Sequence, residues 1–522
     1  MQKSFDCPAL SNTLKRPIQE STTEALMHPV NILFSLILLG LPWAWLAGVY
    51  VADASRLLAG ALILTAIATP KIRTFSISDQ RLRQVSLGFV LIFPLALLTF
   101  LLARMHLGRI GIDFTMFAQA IDSLARTGTP WTSLLGTQWQ NFFGHHLDLI
   151  LYLPAALTVL GVNAPLAAVL CHVLAISLLI YFLWKILSAD KHLLLLLPLF
   201  FTLPTIRHAL LWSIHDDIYA LPFLAASWWL WRQKRYTSMS ITLLLTLVCK
   251  ETMGLWVGSF ALMAFIHDRK KSHLAFVALG FSVFLGYVVL QPILLGKSFD
   301  HIGKVASLAQ LTNPTLLLEK LWFFVNLLFP FLLLLTNTKL TKQDAILFLP
   351  ALPFLGMIAV SNFTEMWKPL NYYGLIPSLT CFLACMHIKS RSNTKPNHFT
   401  LALIVSLSFG TGTLRIGPQI VEALKTSSTA APSLKAFANN TSIAISPSAH
   451  LKLLQSQISP LPGAQFPGRA IQYQANHQLP DLVLFKTGEE EDFPAEFLKG
   501  KKCLLDNDWT YLCPDHSKSP KP

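Results

Sequence analysis

Four stretches of this chain set ionisable side chains beside or within long apolar runs. Charge is expensive at membrane depth, so such groups are first candidates for function. Asp113 lies in Ile112-Asp113-Phe114-Thr115-Met116-Phe117-Ala118-Gln119-Ala120-Ile121-Asp122. It is either the N-cap of a helix or a carboxylate facing a cavity as a general base. His145 and His146, with Asp148, form a pair suited to a proton relay or a phosphate contact. A metal would also suit such a pair, but no further ligands at a metal spacing support one. Arg207 and His208 precede His215-Asp216-Asp217, which reads either as a helix cap in a solvated loop or as a site for a cation or hydroxyl group. Lys250-Glu251 interrupts the otherwise uncharged stretch from Tyr236 to Ile266. It is either an internal ion pair with a snorkelling lysine or a positive charge for a lipid-linked phosphate. Glu365, Trp367 and Lys368, followed by Asn371-Tyr372-Tyr373, are either an interfacial aromatic belt or the cap of the same cavity.

The elements that carry these residues follow from composition. The 522 residues are 53% hydrophobic and only 13% charged, against roughly a quarter charged in a soluble domain. That excludes a cytosolic enzyme, a disordered chain and a disulfide scaffold. The expected fold is an all-α polytopic membrane protein, a helical bundle of about 11–13 transmembrane segments, since a span needs about 20 apolar residues. Clear spans are Val30 to Ala52, Gln84 to Ala103, Leu274 to Gly296, Leu321 to Thr338, Ala345 to Thr364, Pro369 to Met386 and Asn397 to Leu414, with Leu149 to Trp184 long enough for two helices. Shorter runs at Leu57 to Thr69, His192 to Ile206, Ile218 to Trp231, Tyr236 to Cys249 and Thr252 to Ile266 are the kind tolerated around a buried or water-filled cavity. Phe114, Phe117, Ile121 and Leu124 share one face at helical spacing, which predicts a helix lying on the bilayer surface.

The positive-inside rule places residues 1–29 and the basic loops around Arg73, Arg232, Lys270, Lys339 and Lys389 in the cytoplasm of a cell (inner) membrane. The long loop 104–148, Lys250-Glu251, residues 297–313, Glu365 to Lys368 and the tail then face outward. Three apolar segments separate the first outer loop from Arg207 to Asp217, and an odd number cannot return the chain to one side; Leu149 to Leu160 is the expected re-entrant segment. The net charge of +14 is mostly loop charge, and nothing points to nucleic acid. Residues 415–522 read as a small soluble α/β domain outside the membrane, with strands at Ser442 to Ile445 and Pro480 to Phe485. Cys503 and Cys513 flank a turn signal at Asp506-Asn507-Asp508, which fits a cross-strand disulfide in an oxidising compartment or two free thiols. No nucleotide-binding glycine loop, zinc pattern or serine-hydrolase elbow is present.

Several of these motifs, in this order, resemble domain-of-unknown-function family 2079, grouped with the GT-C glycosyltransferase superfamily. They are Ile112-Asp113-Phe114-Thr115-Met116-Phe117-Ala118-Gln119, Gly144-His145-His146, Ile214-His215, Val248-Cys249-Lys250-Glu251, Asn371-Tyr372-Tyr373-Gly374-Leu375-Ile376-Pro377 and Thr441 to Ser446. The resemblance implies a GT-C-like transmembrane domain over residues 30–414 and transfer of a sugar from a polyprenyl-phosphate donor to an envelope glycan, lipid or protein. Asp113 would be the base; Lys250, Arg207, His145 and His146 would bind the donor phosphate; Gln119, Asp122, His215, Asp216, Glu365 and Tyr372 would contact sugar or acceptor. A lipid-linked sugar donor is expected, and a divalent metal is an open alternative without support in the residues. Ala118 stands where the family has a second Asp, which weakens a metal-assisted arrangement, with Asp122 one turn on as a substitute. A transporter or flippase of a lipid-linked glycan and a membrane sensor or scaffold are the competing readings, and sequence leaves the oligomeric state open.

Overall fold

The computed structural model describes residues 79–107, 112–132, 140–190, 193–194, 196–212, 214–295, 314–335, 338–361, 363–367, 372–392 and 416–425, and in the tail 443–445, 482–486, 498, 501–506 and 509–513. The expected spans Val30 to Ala52, Leu57 to Thr69 and Asn397 to Leu414 lie outside the described residues.

The described part is mostly helical. Its helices run α1 (Asp79–Leu107), α2 (Ile112–Thr127), α3 (Tyr152–Val159), α4 (Ala164–Leu187), α5 (Leu196–Thr202), α6 (Pro204–Trp212), α7 (Asp216–Arg232) and α8 (Tyr236–Leu247). They continue with α9 (Met253–Asp268), α10 (Ser272–Leu295), α11 (Pro314–Leu334), α12 (Lys342–Ile346), α13 (Leu352–Val360), α14 (Leu375–Ser392) and α15 (Ile416–Lys425). Four segments, Gln80–Leu107, Ala164–Leu187, Ser272–Ile293 and Lys342–Val360, are long and apolar enough to cross a membrane. The last is broken by a short 3-10 turn at Leu349–Ala351, where Pro350 removes a backbone donor.

Punctuation residues set the ends. Gly161 takes φ 99° after α3, a conformation glycine adopts without steric cost, and Asn163 then caps α4 by accepting from the Leu166 amide at 3.0 Å. Pro204 separates α5 from α6, so the apolar run His192 to Ile206 is two short helices rather than one span. Leu149–Val159 is likewise too short to cross about 30 Å of hydrocarbon, in keeping with a re-entrant segment.

Helix α2 departs from expectation. Phe114, Phe117, Ala118, Ala120, Ile121 and Leu124 are buried, but so are Thr115, Gln119 and Asp122 on the other face. The helix is enclosed by α3 and α4 instead of resting on a bilayer surface. The tightest crossing joins α9 and α10: a Cβ on Gly254 would stand 2.5 Å from the Gly280 carbonyl oxygen, and one on Gly280 2.5 Å from the Gly258 amide nitrogen. Glycine at all three positions lets the two backbones touch.

In the tail, the strands β3 (Ile443–Ile445), β4 (Leu482–Lys486), β5 (Lys501–Asp506) and β6 (Trp509–Cys513), numbered after the two-residue strands β1 (Trp131–Thr132) and β2 (Gln140–Asn141), form one sheet in the order β3-β4-β6-β5. β3 pairs with β4 in parallel and the other pairs are antiparallel. Both expected strands are present. The register sets Cys513 opposite Lys501 and leaves Cys503 at an irregularity between Lys502 and Leu504. The side chains of Cys503 and Cys513 lie outside the described residues, as does any bond between them.

Candidate functional site

Three connections between helices converge on one buried charge cluster. The connection between α6 and α7 supplies His215 and opens α7 with Asp216 and Asp217; the turn between α8 and α9 supplies Lys250 and Glu251; the loop before α3 supplies His146 and Asp148. The Lys250 ammonium donates to Asp216 Oδ1 at 3.1 Å and to Asp217 Oδ2 at 3.2 Å, with Asp216 Oδ2 at 2.9 Å. His215 Nδ1 contacts Asp216 and lies 3.0 Å from Asp217 Oδ2. The His215 ring stacks on Tyr372, centroids 3.6 Å apart, and meets the edge of Phe117. Tyr372 and Tyr373 share a hydroxyl–hydroxyl hydrogen bond of 3.1 Å.

A second pair adjoins the first. His146 Nδ1 lies 3.0 Å from Glu251 Oε1, while the Leu147 amide donates to Glu251 Oε2 at 3.0 Å. The loop bearing His145 and His146 is held from outside by α10: Tyr287 Oη donates to the Phe143 carbonyl at 3.0 Å and Gln291 Nε2 to the Gly144 carbonyl. Asn141 caps the same turn through the Phe143 amide. The Ile150 amide donates to the Val248 carbonyl at 2.9 Å, joining this loop to the turn that bears Lys250.

Burial sets the protonation of the groups in the connecting loops. Desolvation would depress the His215 imidazole, but the carboxylate of Asp216 outweighs it and brings the group up to about 9. His146 falls to about 3, first from burial and then from the Lys250 charge, so it is neutral. Burial raises Glu251 to about 7 against the opposing pull of Lys250. Asp148 is fully buried and neither carboxyl oxygen has a hydrogen-bond partner; burial and then the Asp216 charge push it well above the usual carboxylate range. Unlike Asp216 and Asp217, Asp148 has no cation bonded to it among the described residues to offset burial, which favours its neutral form. The resulting set, with Asp216 and Asp217 anionic and Lys250 and His215 cationic, is close to neutral. A buried cluster can persist only when its charges are paired in this way.

The family model described as a predicted membrane protein, DUF2079, matches residues 104–459. The chain belongs to that family. The match takes in every residue of the cluster. No curated protein and no solved structure matches the chain.

The remaining candidates in this DUF2079 chain divide by position. Asp113 sits in the first turn of α2 rather than before it, half-buried. Burial first, and the Asp113 charge among lesser causes, holds the Tyr372 and Tyr373 phenols above their usual range, so Asp113 is within electrostatic range of that pair. His145 is half-buried and packs edge-on against His146, centroids 4.4 Å apart. Arg207 is buried on α6, which packs against the turn Tyr372–Gly374. Gln119 accepts from Thr132 Oγ1 at 2.8 Å and Asp122 pairs with Arg126 one turn on at 3.0 Å, so both side chains have local structural partners in and beside α2. Glu365 lies in the 3-10 turn Thr364–Trp367, and its side chain is outside the described residues. The sequence reading grouped Asp148 with the His pair but assigned no role to Tyr287 or Gln291. Asp148 was signalled by a carboxylate at the threshold of an apolar run, and the α10 pair by two hydrogen-bonding side chains one turn apart inside a span.

Proposed function

We propose that the chain is an integral-membrane glycosyltransferase of GT-C type. It moves a sugar from a polyprenyl-phosphate donor to an envelope glycan, lipid or protein, with Asp113 as base. One observation carries this reading. Asp113 is partly exposed and within electrostatic range of the Tyr372–Tyr373 pair, whereas Asp216, Asp217 and Glu251 are buried and bonded to Lys250, His215 or His146. A general base must reach its substrate's proton, and a carboxylate already tied to an ammonium in a dry cluster is poorly placed to do so.

In the step, the acceptor hydroxyl gives its proton to Asp113 while its oxygen attacks the anomeric carbon. The bond from that carbon to the donor phosphate breaks, and polyprenyl phosphate leaves with the electron pair, inverting the centre. The leaving phosphate gains charge and needs nearby cations. Half-buried His145 and buried Arg207 are the candidate cations, with Lys250, held by two aspartates, adding its charge to the same region. Tyr372, stacked on His215, presents a flat apolar surface suited to a sugar ring. The α/β tail outside the membrane completes the proposed architecture.

The test is mass analysis of envelope glycans and lipids from cells lacking the gene, complemented with wild type or Asp113→Asn. Loss of one modification, restored by wild type and not by the Asn variant, is expected; full restoration by Asp113→Asn would overturn the assignment. The short helices α5 and α6 around a buried ion pair favour a second reading, a transporter or flippase of a lipid-linked glycan. On that reading the lipid-linked sugar accumulates on one leaflet of the deletion strain, and Asp113→Asn restores its distribution.

A further inference from the structure

His215, Asp216 and Asp217 each aim one ligand atom at a common point, and these atoms all lie within 4.8 Å of one another. Two carboxylates and an imidazole gathered so closely are what a divalent ion of the first transition row takes as ligands. The position between the carboxylates is filled, however. Lys250 Nζ lies 2.9 Å from Asp216 Oδ2, 3.1 Å from Asp216 Oδ1 and 3.2 Å from Asp217 Oδ2. These are hydrogen-bond lengths to an ammonium, where a metal would sit about 2.0–2.6 Å from oxygen. Lys250 comes from a different connection, 34 residues from Asp216 in sequence, and is itself buried. Asp148, fully buried with no hydrogen-bond partner for either carboxyl oxygen, adjoins Asp216 in the same pocket.

We propose that Lys250 is the resident cation of a metal-type site, its ammonium standing against Asp216, Asp217 and His215 where a divalent ion would otherwise bind. A tethered monovalent cation cannot be lost to chelators and brings three N–H donors, which match the three carboxylate oxygens around it. A divalent ion would have to expel a buried ammonium from two carboxylates, and breaking a buried pair is strongly unfavourable. The cluster therefore needs no divalent ion to balance its carboxylates, because Lys250 takes that place. The proposal stands whether or not a sugar is transferred, because its test reads binding alone.

The experiment is a Mn²⁺ titration of the purified full-length protein in detergent, read by electron paramagnetic resonance of free Mn²⁺ and by the thermal unfolding midpoint. Wild type is expected to show no saturable Mn²⁺ site, and its midpoint should not respond to EDTA. Lys250→Ala is expected to gain one Mn²⁺ per chain and a midpoint that rises with Mn²⁺, both abolished by adding Asp216→Asn. If Lys250→Ala is not recovered folded, Lys250→Ala/Asp217→Asn replaces it; this removes one anion with the cation, and a single weaker site is expected. A wild-type Mn²⁺ site abolished by Asp216→Asn overturns the proposal. So does a folded Lys250 variant that ignores Mn²⁺.

Discussion

Asp148 and Asp216 are neighbouring carboxyls with opposite roles, and amide substitution separates them. Asp148 is already neutral, so Asp148→Asn keeps its shape and charge state and should shift stability by less than about 1 kcal/mol. Asp216→Asn strands Lys250 among fewer anions and should cost about 3–5 kcal/mol, the usual penalty for halving a buried pair. Denaturant unfolding in mixed micelles, followed by tryptophan fluorescence, measures both; equal losses would reject the proton assignment. His215 gives a pH signature. Its folded value of about 9 lies above the ordinary 6.5, so its stabilisation is complete below about 6.5 and fades as pH rises through about 9. The midpoint difference between wild type and His215→Gln should therefore shrink from pH 6.5 to 9, from at most roughly 3 kcal/mol; a pH-independent difference would mean that the imidazolium is not held by Asp216. The ionisable residues themselves were legible in the sequence, because charge in an apolar run is conspicuous. Their pairing was not. Lys250 read as a free cation for a phosphate because nothing local shows that the fold brings Asp216 and Asp217 onto it.

At the level of elements, α9 and α10 act as a clamp. Gly254 and Gly280 let their backbones touch, and one turn beyond the apolar middle of α10, Tyr287 and Gln291 hold the turn that carries His145 and His146. Gly280→Leu drives a side chain into the Gly254 and Gly258 backbone and should destabilise by about 1–3 kcal/mol or more. Tyr287→Phe removes a single hydrogen bond, worth about 1 kcal/mol, and leaves the crossing intact. Both should raise the alkylation rate of a cysteine placed at His145, since each loosens the loop. An unchanged rate in Gly280→Leu would show that α10 does not hold it. Helix α2 shows where sequence reading stops. Spacing located the helix and its phenylalanine face, yet Thr115 and Gln119 are equally buried, Gln119 against Thr132 of β1. A helical wheel records which face prefers burial, and only packing decides whether the other face is covered too.

For the whole molecule, convergence of residues 146, 215–217, 250–251 and 372 fixes a parity. If these residues lie at one end of a membrane-spanning bundle, the chain should cross an even number of times between each pair. On that expectation Leu149–Val159 re-enters, α4 goes across, and the broken pair α5 and α6 returns. Helices α7 and the 12-residue α8 would make the next round trip. Then α9 would leave and α10 come back to meet Phe143 and Gly144, and α11 would leave while α12 with α13 returns before Tyr372. The odd number of apolar runs is accounted for if Leu149–Val159 does not cross. The ends opposite the cluster carry Arg232, Lys234, Arg235, Arg269, Lys270, Lys271, Lys389 and Arg391, the pattern expected of cytoplasmic loops. The cluster should therefore face away from the cytoplasm. A cysteine replacing exposed Thr127, at the end of α2 before the chain leads on to His146, should react with a membrane-impermeant maleimide added to intact cells. One replacing exposed Lys271 should react only after lysis, the four described native cysteines being buried. Labelling of both from outside would break the parity, and labelling of Lys271→Cys alone would invert the orientation, moving the proposed transfer to the cytoplasmic face and setting the basic loops against the positive-inside rule.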